Sequence, residues 1–338
     1  MKRYIIDKKA IEILNLYTLD AITELGSDKV ITNEALEYRH IPFISVPLSE
    51  EQLKVLDDNG IEYNEELIQG DMLLSQDTGY EKLRSGWVKT LARALTGAGT
   101  KVGHMDTGST LSVVPYQFGY NFINNNTDVT DVNGHGTTTS SIIKHPIIAV
   151  APGCELHVLK VITDQGLGNE SAILAGFDYA IANNLDILNL SWTYDTPAVR
   201  VAIGNLVATN CIVVAAAGNS STVAITLVPA CLPGVVAVNA VSNTGVAGDF
   251  NVLPPPDIVG GHGITVACNG VSCQSYDKNG NFAGCWGTSC AAPFFVGVLA
   301  VLKEQLKETD NKKVLSYALD KCVKVDFSTY FGAGLPNF

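Results

Sequence analysis

Leu156-His-Val-Leu-Lys-Val-Ile162 is a nearly continuous apolar run, and its reading decides the fold. Ser171 to Asn183 follows with helical character, and then comes a second apolar run, Ile187-Leu-Asn-Leu190. Working outward, runs of the same kind stand at Lys101 to Met105, Cys211 to Ala216 and Val235 to Val241. Further helical stretches span Thr196 to Ala208 and Ala292 to Glu308. Strands that are apolar throughout, joined by helical crossovers, are buried on both faces. The expectation from about residue 80 onward is therefore an α/β fold: a mostly parallel central sheet flanked by helices in three layers.

The first part of the chain reads differently. Tyr4-Ile5-Ile6 is a short strand, and Ile11, Leu14, Leu16, Ile22 and Leu25 punctuate an expected helix. Ile41 to Pro47 alternates as an edge strand that tolerates proline. Ser49 caps a helix that starts with two glutamates and stops at Asn59-Gly60, and Ile61 to Leu67 is a last strand. A linker over Gly70 to Gly79 carries Met72-Leu-Leu74. This is a small α+β unit.

Charge separates the same two parts. The 338 residues carry a formal −12, from 22 Lys+Arg against 34 Asp+Glu. Residues 1–76 hold 7 basic and 15 acidic residues, a net −8, and residues 77–338 hold 15 and 19, a net −4. A strongly acidic chain lacks the basic surface that binding phosphates requires, so no nucleic-acid partner is expected. Charged residues are only 17% and apolar ones 46%, which excludes a disordered chain. The start, Met1-Lys-Arg-Tyr-Ile-Ile-Asp7, has no apolar stretch behind its basic residues, and the longest apolar run, Ala291 to Leu302, is too short to cross a bilayer. A cytoplasmic protein without a membrane segment is expected.

Three segments carry chemistry. Val102-Gly-His-Met-Asp106-Thr-Gly places an acid at the C-terminal end of a strand, where α/β active sites sit. Asn133-Gly-His135-Gly-Thr puts a histidine at a helix start between two glycines. Gly287-Thr-Ser289-Cys-Ala-Ala-Pro293 opens the long late helix with a serine, whose neighbouring amides face a developing anion. A fourth, Ala215-Ala-Ala-Gly-Asn219, offers an amide after a buried strand. Each alone is a common turn or cap. Together they supply acid, base and nucleophile, which favours an enzyme over a catalytically silent binding or scaffold protein.

In this order, Asp, His, Ser, the motifs resemble the subtilisin-like serine proteases. The resemblance covers about residue 80 to the end and implies a subtilisin-like fold over 77–338, preceded by an inhibitory prodomain over 1–76. It implies a serine endopeptidase, made as a self-processing zymogen that cuts itself between about Met72 and Asp77. Ser289 is then the nucleophile, His135 the general base, Asp106 its orienting partner and Asn219 the oxyanion donor. Gly166, Leu167 and Gly168, with Ser191, Trp192 and Thr193, would flank a protein or peptide substrate as strands, and Ala216, Ala217 and Gly218 would line the main pocket. The prodomain would act as an intramolecular inhibitor, its tail lying in that groove. No cofactor is implied.

Two departures stand out. Thr193 replaces a usual glycine and narrows the pocket. Only 15 residues separate His135 from Ala151, where calcium-binding relatives carry a longer loop, so that calcium site is expected to be absent. Cys268, Cys273, Cys285 and Cys290 admit a zinc site, a disulfide or free thiols; free thiols are the expectation. His104, two before Asp106, is read as structural.

Overall fold

Alternation in the first strand builds the smaller part of the protein. The computed structural model describes residues 3–7, 10, 16–17, 30–31, 36–37, 43–65, 68–69, 71–72, 95–219, 227–242, 263–322 and 333. Strand β1 (Arg3–Asp7) lies between β5 (Phe43–Pro47) and β6 (Tyr63–Glu65), antiparallel to both, with β4 (Leu36–Glu37) at the edge beyond β5. Tyr4 and Ile6 face a small core with Val46, Leu48 and Leu56. Leu56 comes from α1 (Glu50–Asp58), whose start is a capping box: the Ser49 hydroxyl accepts from Gln52 N–H, and the Gln52 side chain accepts from Ser49 N–H. Ile5, on the opposite face, joins a different cluster that includes Phe177 and Leu190.

Two expectations fail here. The strand at Phe43–Pro47 is not at the edge, because β4 pairs along its outer side. Leu16 lies not in a helix but in β2 (Leu16–Tyr17), parallel to β3 (Val30–Ile31). The aromatic Tyr17 favours extended backbone. Ile11, Leu14, Ile22 and Leu25 lie outside the described residues. The last strand is shorter than expected, because only 63–65 pair with β1. Two further short strands, β7 (Ile68–Gln69) and β8 (Asp71–Met72), pair elsewhere.

The larger part is one seven-stranded sheet, all of its pairs parallel. In chain order its strands are β9 (Lys101–Asp106), β10 (Phe118–Asn121), β11 (Glu155–Lys160), β13 (Ile187–Leu190), β15 (Ile212–Ala216), β16 (Val236–Val241) and β17 (Val266–Asn269). Two-residue strands β12 (Gly168–Asn169) and β14 (Trp192–Thr193) sit outside it, and β18 (Cys273–Tyr276) and β19 (Phe282–Cys285) make a hairpin. In space the order is β10-β11-β9-β13-β15-β16-β17. The winding reverses between β9 and β13, and ligands bind beyond the strand C-termini at such a reversal.

Helices cover both faces. Val102, Ile187, Val214 and Val238 pack with α2 (His135–Lys144), α5 (Thr288–Leu306) and α6 (Asn311–Asp320). Met105, Leu188, Val213 and Ala237 pack on the other side with α3 (Glu170–Ala182) and α4 (Pro197–Ala208). This is the three-layer α/β architecture. By length and composition α5 is apolar enough to cross a membrane, but most of it is buried inside the fold as a core helix.

Candidate active site

Alternation along β9 sends Val102, His104 and Asp106 to the α2 and α5 side of the sheet. Asp106 ends the strand, 1% exposed, and meets the first residue of α2: His135 Nδ1 donates to Asp106 Oδ1 at 2.7 Å. A carboxylate only accepts, so the shared proton sits on Nδ1. Nε2 of His135, the ring's other nitrogen, is buried and has no hydrogen-bond partner among the described residues.

The approach of α2 to the end of β9 requires glycine. A Cβ on Gly136 would stand 2.1 Å from the Gly108 carbonyl oxygen, and Gly108 itself has φ +114° with the Val129 carbonyl 2.3 Å from where a Cβ would be. Asp131 locks this junction. Its Oδ1 accepts from Thr107 Oγ1 and Gly134 N–H, its Oδ2 accepts from Thr137 N–H and Oγ1, and Thr107 Oγ1 in turn accepts from Gly136 N–H. Neither Asp131 nor Thr107 stands out in the sequence reading. The signal was present: an acid four residues before His135 satisfies the orphan amides of that helix start.

Burial alone would push the Asp106 carboxyl up. The charge and hydrogen bond of His135, with His104 and the Thr107 N–H, outweigh it and hold Asp106 below its ordinary value.

Ser289 is the second residue of α5, fully buried, in the first turn where amides lack helical acceptors. Its hydroxyl donates to the Ser191 carbonyl at 3.0 Å. The expected link from Ser289 to His135 Nε2 is thus not made in this state. Such bonds commonly tighten only when substrate is bound. Asn219 follows β15 and Gly218, which has φ +119°. The Asn219 carbonyl accepts from both Thr288 N–H and Thr288 Oγ1 at 2.9 Å, and Thr288 Oγ1 accepts from Gly218 N–H. Anchoring Oδ1 fixes which end of the amide is the donor end. Thr288 is a positioning residue hidden inside a motif where only the serine drew notice.

The other expected residues divide. Gly166 turns at φ +82° and leads through exposed Leu167 to Gly168, which pairs with Gln69 while Asn169 pairs with Ile68, joining β12 and β7 antiparallel. Trp192 pairs with Met72 and Thr193 with Asp71, joining β14 and β8 in the same sense. So β7 and β8 run antiparallel to these two short strands. The Trp192 side chain leaves the groove for the core, where its Nε1 donates to the Met105 carbonyl at 2.7 Å. Ala216 and Ala217 are buried at the end of β15, Ala217 against Ile264. Ser191 Oγ donates to the Ser289 carbonyl.

The cysteine expectation needs correction. Cys285 and Cys290 form a disulfide between β19 and α5, because the hairpin end and the helix start bring their Cα atoms to 6.5 Å. Cys273, opposite Cys285 in the hairpin, stays free, and burial pushes its thiol up to about 12. No cluster of three His, Cys, Asp or Glu suited to a metal occurs among the described residues. After the short loop at 145–150, the Lys144 ammonium donates to the carbonyls of Pro152 and Cys154, oxygens of the type a hard cation seeks.

Known proteins fall in line with this geometry. The subtilase family model matches residues 55–334. An alkaline protease of Alkalihalobacillus alcalophilus is 29% identical over 329 residues, spanning 94% of this chain and 84% of that protein. Subtilisin DY of Bacillus licheniformis is 30% identical over 264 residues, 74% of this chain and 93% of that one. A cold adapted subtilisin-like serine proteinase of solved structure shares the fold, with a TM-score of 0.62 at 22% identity over 79% of this chain and 93% of that one. The chain belongs to the subtilase family and is a serine-type endopeptidase.

Proposed function

We propose that Ser289, His135 and Asp106 form the catalytic triad, with Asn219 as oxyanion donor, and that residues 1–73, all but the last three of the expected 1–76 unit, are an inhibitory prodomain removed by the enzyme itself. The observation that carries the triad is the 2.7 Å contact of His135 Nδ1 with Asp106, which leaves Nε2 as the ring's basic nitrogen. His135 takes the Ser289 proton as Oγ attacks the substrate carbonyl. It then returns that proton to the leaving amine, and water repeats the sequence on the acyl-enzyme. Asn219 and the Ser289 N–H stabilise the oxyanion.

In the structure the Ser289 hydroxyl is held by the Ser191 carbonyl. A substrate that extends the β14 pairing brings its own N–H to that carbonyl and releases the hydroxyl toward His135. Specificity then rests first on backbone pairing with 166–168 and 191–193, which reads strand shape before side chains.

The pairing of 68–72 supports the prodomain reading. Asp71 faces Thr193 and Met72 faces Trp192, so one more step in the antiparallel register opposes Leu73 to Ser191, the residue that holds Ser289. The bond we assign for self-cleavage is Leu73–Leu74.

A fluorophosphonate tests the triad. It labels the processed wild type at Ser289 and leaves Ser289→Ala unlabelled. Absence of label on the processed wild type contradicts the reading.

A further inference from the structure

His104 is completely buried beside Asp106, with the residue after His135 on one side of its ring and a hydrogen-bonded path toward Ser289 on the other. Four groups surround its ring. Nε2 lies 3.1 Å from the Gly136 carbonyl, 3.2 Å from Thr139 Oγ1 and 3.8 Å from Asp106 Oδ2. Nδ1 lies 3.2 Å from Asn189 Nδ2, on the paired strand β13, where Asn189 is the register partner of His104. Asn189 Nδ2 is also 3.0 Å from Ser191 Oγ, which reaches the Ser289 carbonyl at 3.1 Å.

The proton positions follow from the two carbonyls at the ends of this chain. Gly136 O only accepts, so Nε2 carries the hydrogen. In a neutral ring Nδ1 is then an acceptor, and Asn189 must offer its NH2. The second hydrogen of that NH2 goes to Ser191 Oγ, which passes its own to Ser289 O. Reversing the Asn189 amide would leave Ser191 without a hydrogen for Ser289 O and set the unprotonated Nε2 against Gly136 O. One direction satisfies the contacts from Gly136 O to Ser289 O, and it leaves Asn189 Oδ1 buried without a partner among the described residues.

We infer that neutral His104, protonated on Nε2, is a positioning residue that couples the backbones of His135 and Ser289 to Asp106 through Asn189 and Ser191. The inference rests on the triad reading above. It touches no substrate. Its work is to set where α2 and α5 start relative to the end of β9.

A second proton on the ring would point Nδ1–H at the Asn189 donors and break the chain. The titratable groups facing the ring are Asp106 on its own strand, His135 on α2 and Asp131 before α2; β11 presents Val158 and β13 presents Asn189, neither of which titrates. Burial outweighs the pull of Asp106 and holds the ring below its usual value, in keeping with a neutral state.

The test uses the full chain. In Ser289→Ala, 15N shifts of the His104 ring read the tautomer directly: a protonated Nε2 and bare Nδ1 are expected at neutral pH, and a protonated Nδ1 overturns the inference. In otherwise wild-type enzyme, His104→Phe lowers kcat by about 10-fold at nearly unchanged KM, the scale for residues that orient reacting groups. It also shifts the downfield resonance of the His135–Asp106 proton. His104→Gln, with a donor and an acceptor, recovers part of the loss. A folded His104→Phe with native kcat and an unmoved resonance overturns the inference. If His104→Phe does not fold, His104→Gln and the ring shifts still decide. Full activity in Ser289→Ala would instead overturn the triad, so the two failures are separable.

Discussion

The N-terminal unit and the seven-stranded region use the same alternation rules with different results. In the larger region both faces of the sheet are covered, and buried side chains from five helices and six of the seven strands fill two clusters, with Phe118 of β10 packed against one. In the N-terminal unit the described core is Tyr4, Ile6, Ala10, Val46, Leu48 and Leu56. The other face of β1 sends Ile5 into the larger region's cluster, and 68–72 pairs with strands of that region. A sheet whose second face and last strands belong to its neighbour is stable chiefly with that neighbour present. That difference fits the proposed loss of this unit once one bond is cut.

The comparison can be broken at several points. Asn219→Ala removes a donor from the larger region's site without touching its core. It should lower kcat by about 10²–10³-fold with the melting temperature nearly kept, as steady-state assays and calorimetry would show. An unchanged kcat would remove Asn219 from the site.

Next come paired truncations. Leu56→Ala and Leu299→Ala each cost about 2–5 kcal/mol in a well-packed core. For a unit of the N-terminal size this approaches the whole stability, on the order of 3–10 kcal/mol. Leu56→Ala should therefore expose residues 1–65 to hydrogen exchange while the seven-stranded sheet stays protected. Leu299→Ala should only lower the main melting transition. Equal exchange in both variants would show that the two parts unfold as one.

Lys144→Met leaves the carbonyls of Pro152 and Cys154 without their buried donor. A loss of about 1–3 kcal/mol is expected, read as a lower melting temperature. EDTA should leave the wild-type melting temperature unchanged, and a large fall on chelation would contradict the expected absence of a calcium site after His135.

The smallest effect is one of pH. Asp106 is held below the usual 3.8, so its stabilising contribution is present above that value and is lost as pH falls through the lower folded value. His135→Ala removes the charge and hydrogen bond that oppose burial, so the Asp106 carboxyl rises. In a Ser289→Ala background, acid unfolding should then begin at higher pH, which circular dichroism can follow. An unmoved midpoint would mean that His135 does not set the Asp106 ionisation.

Much of the larger region was legible because its signals are local. Ile187–Leu190 is a strand over the very residues expected, and β9, β15 and β16 shift by only a residue or so, since fully apolar runs have one way to be buried. The proposed site residues stood out because glycine, acid, histidine and serine stand in fixed flanks. What stayed hidden depends on contacts distant in sequence. Asp131 and Thr288 reveal their importance only when their donors and acceptors arrive. His104 looks like one more buried strand residue until Asn189 pairs beside it. The Cys285–Cys290 bond depends on where the β19 hairpin meets α5, which spacing alone left open. Leu16 was misread because a two-residue strand has too little pattern to outvote a helical guess.

The central claim is that this chain cuts itself through Ser289 at a bond set by the β8–β14 register. Intact mass and N-terminal sequencing of purified wild type, beside Ser289→Ala, test it most directly. The account predicts a wild-type product beginning Leu74-Ser75-Gln76 and a Ser289→Ala chain that stays at 36.0 kDa. A wild type that remains intact while active, or a Ser289→Ala chain that is processed alone at the same bond, would contradict it.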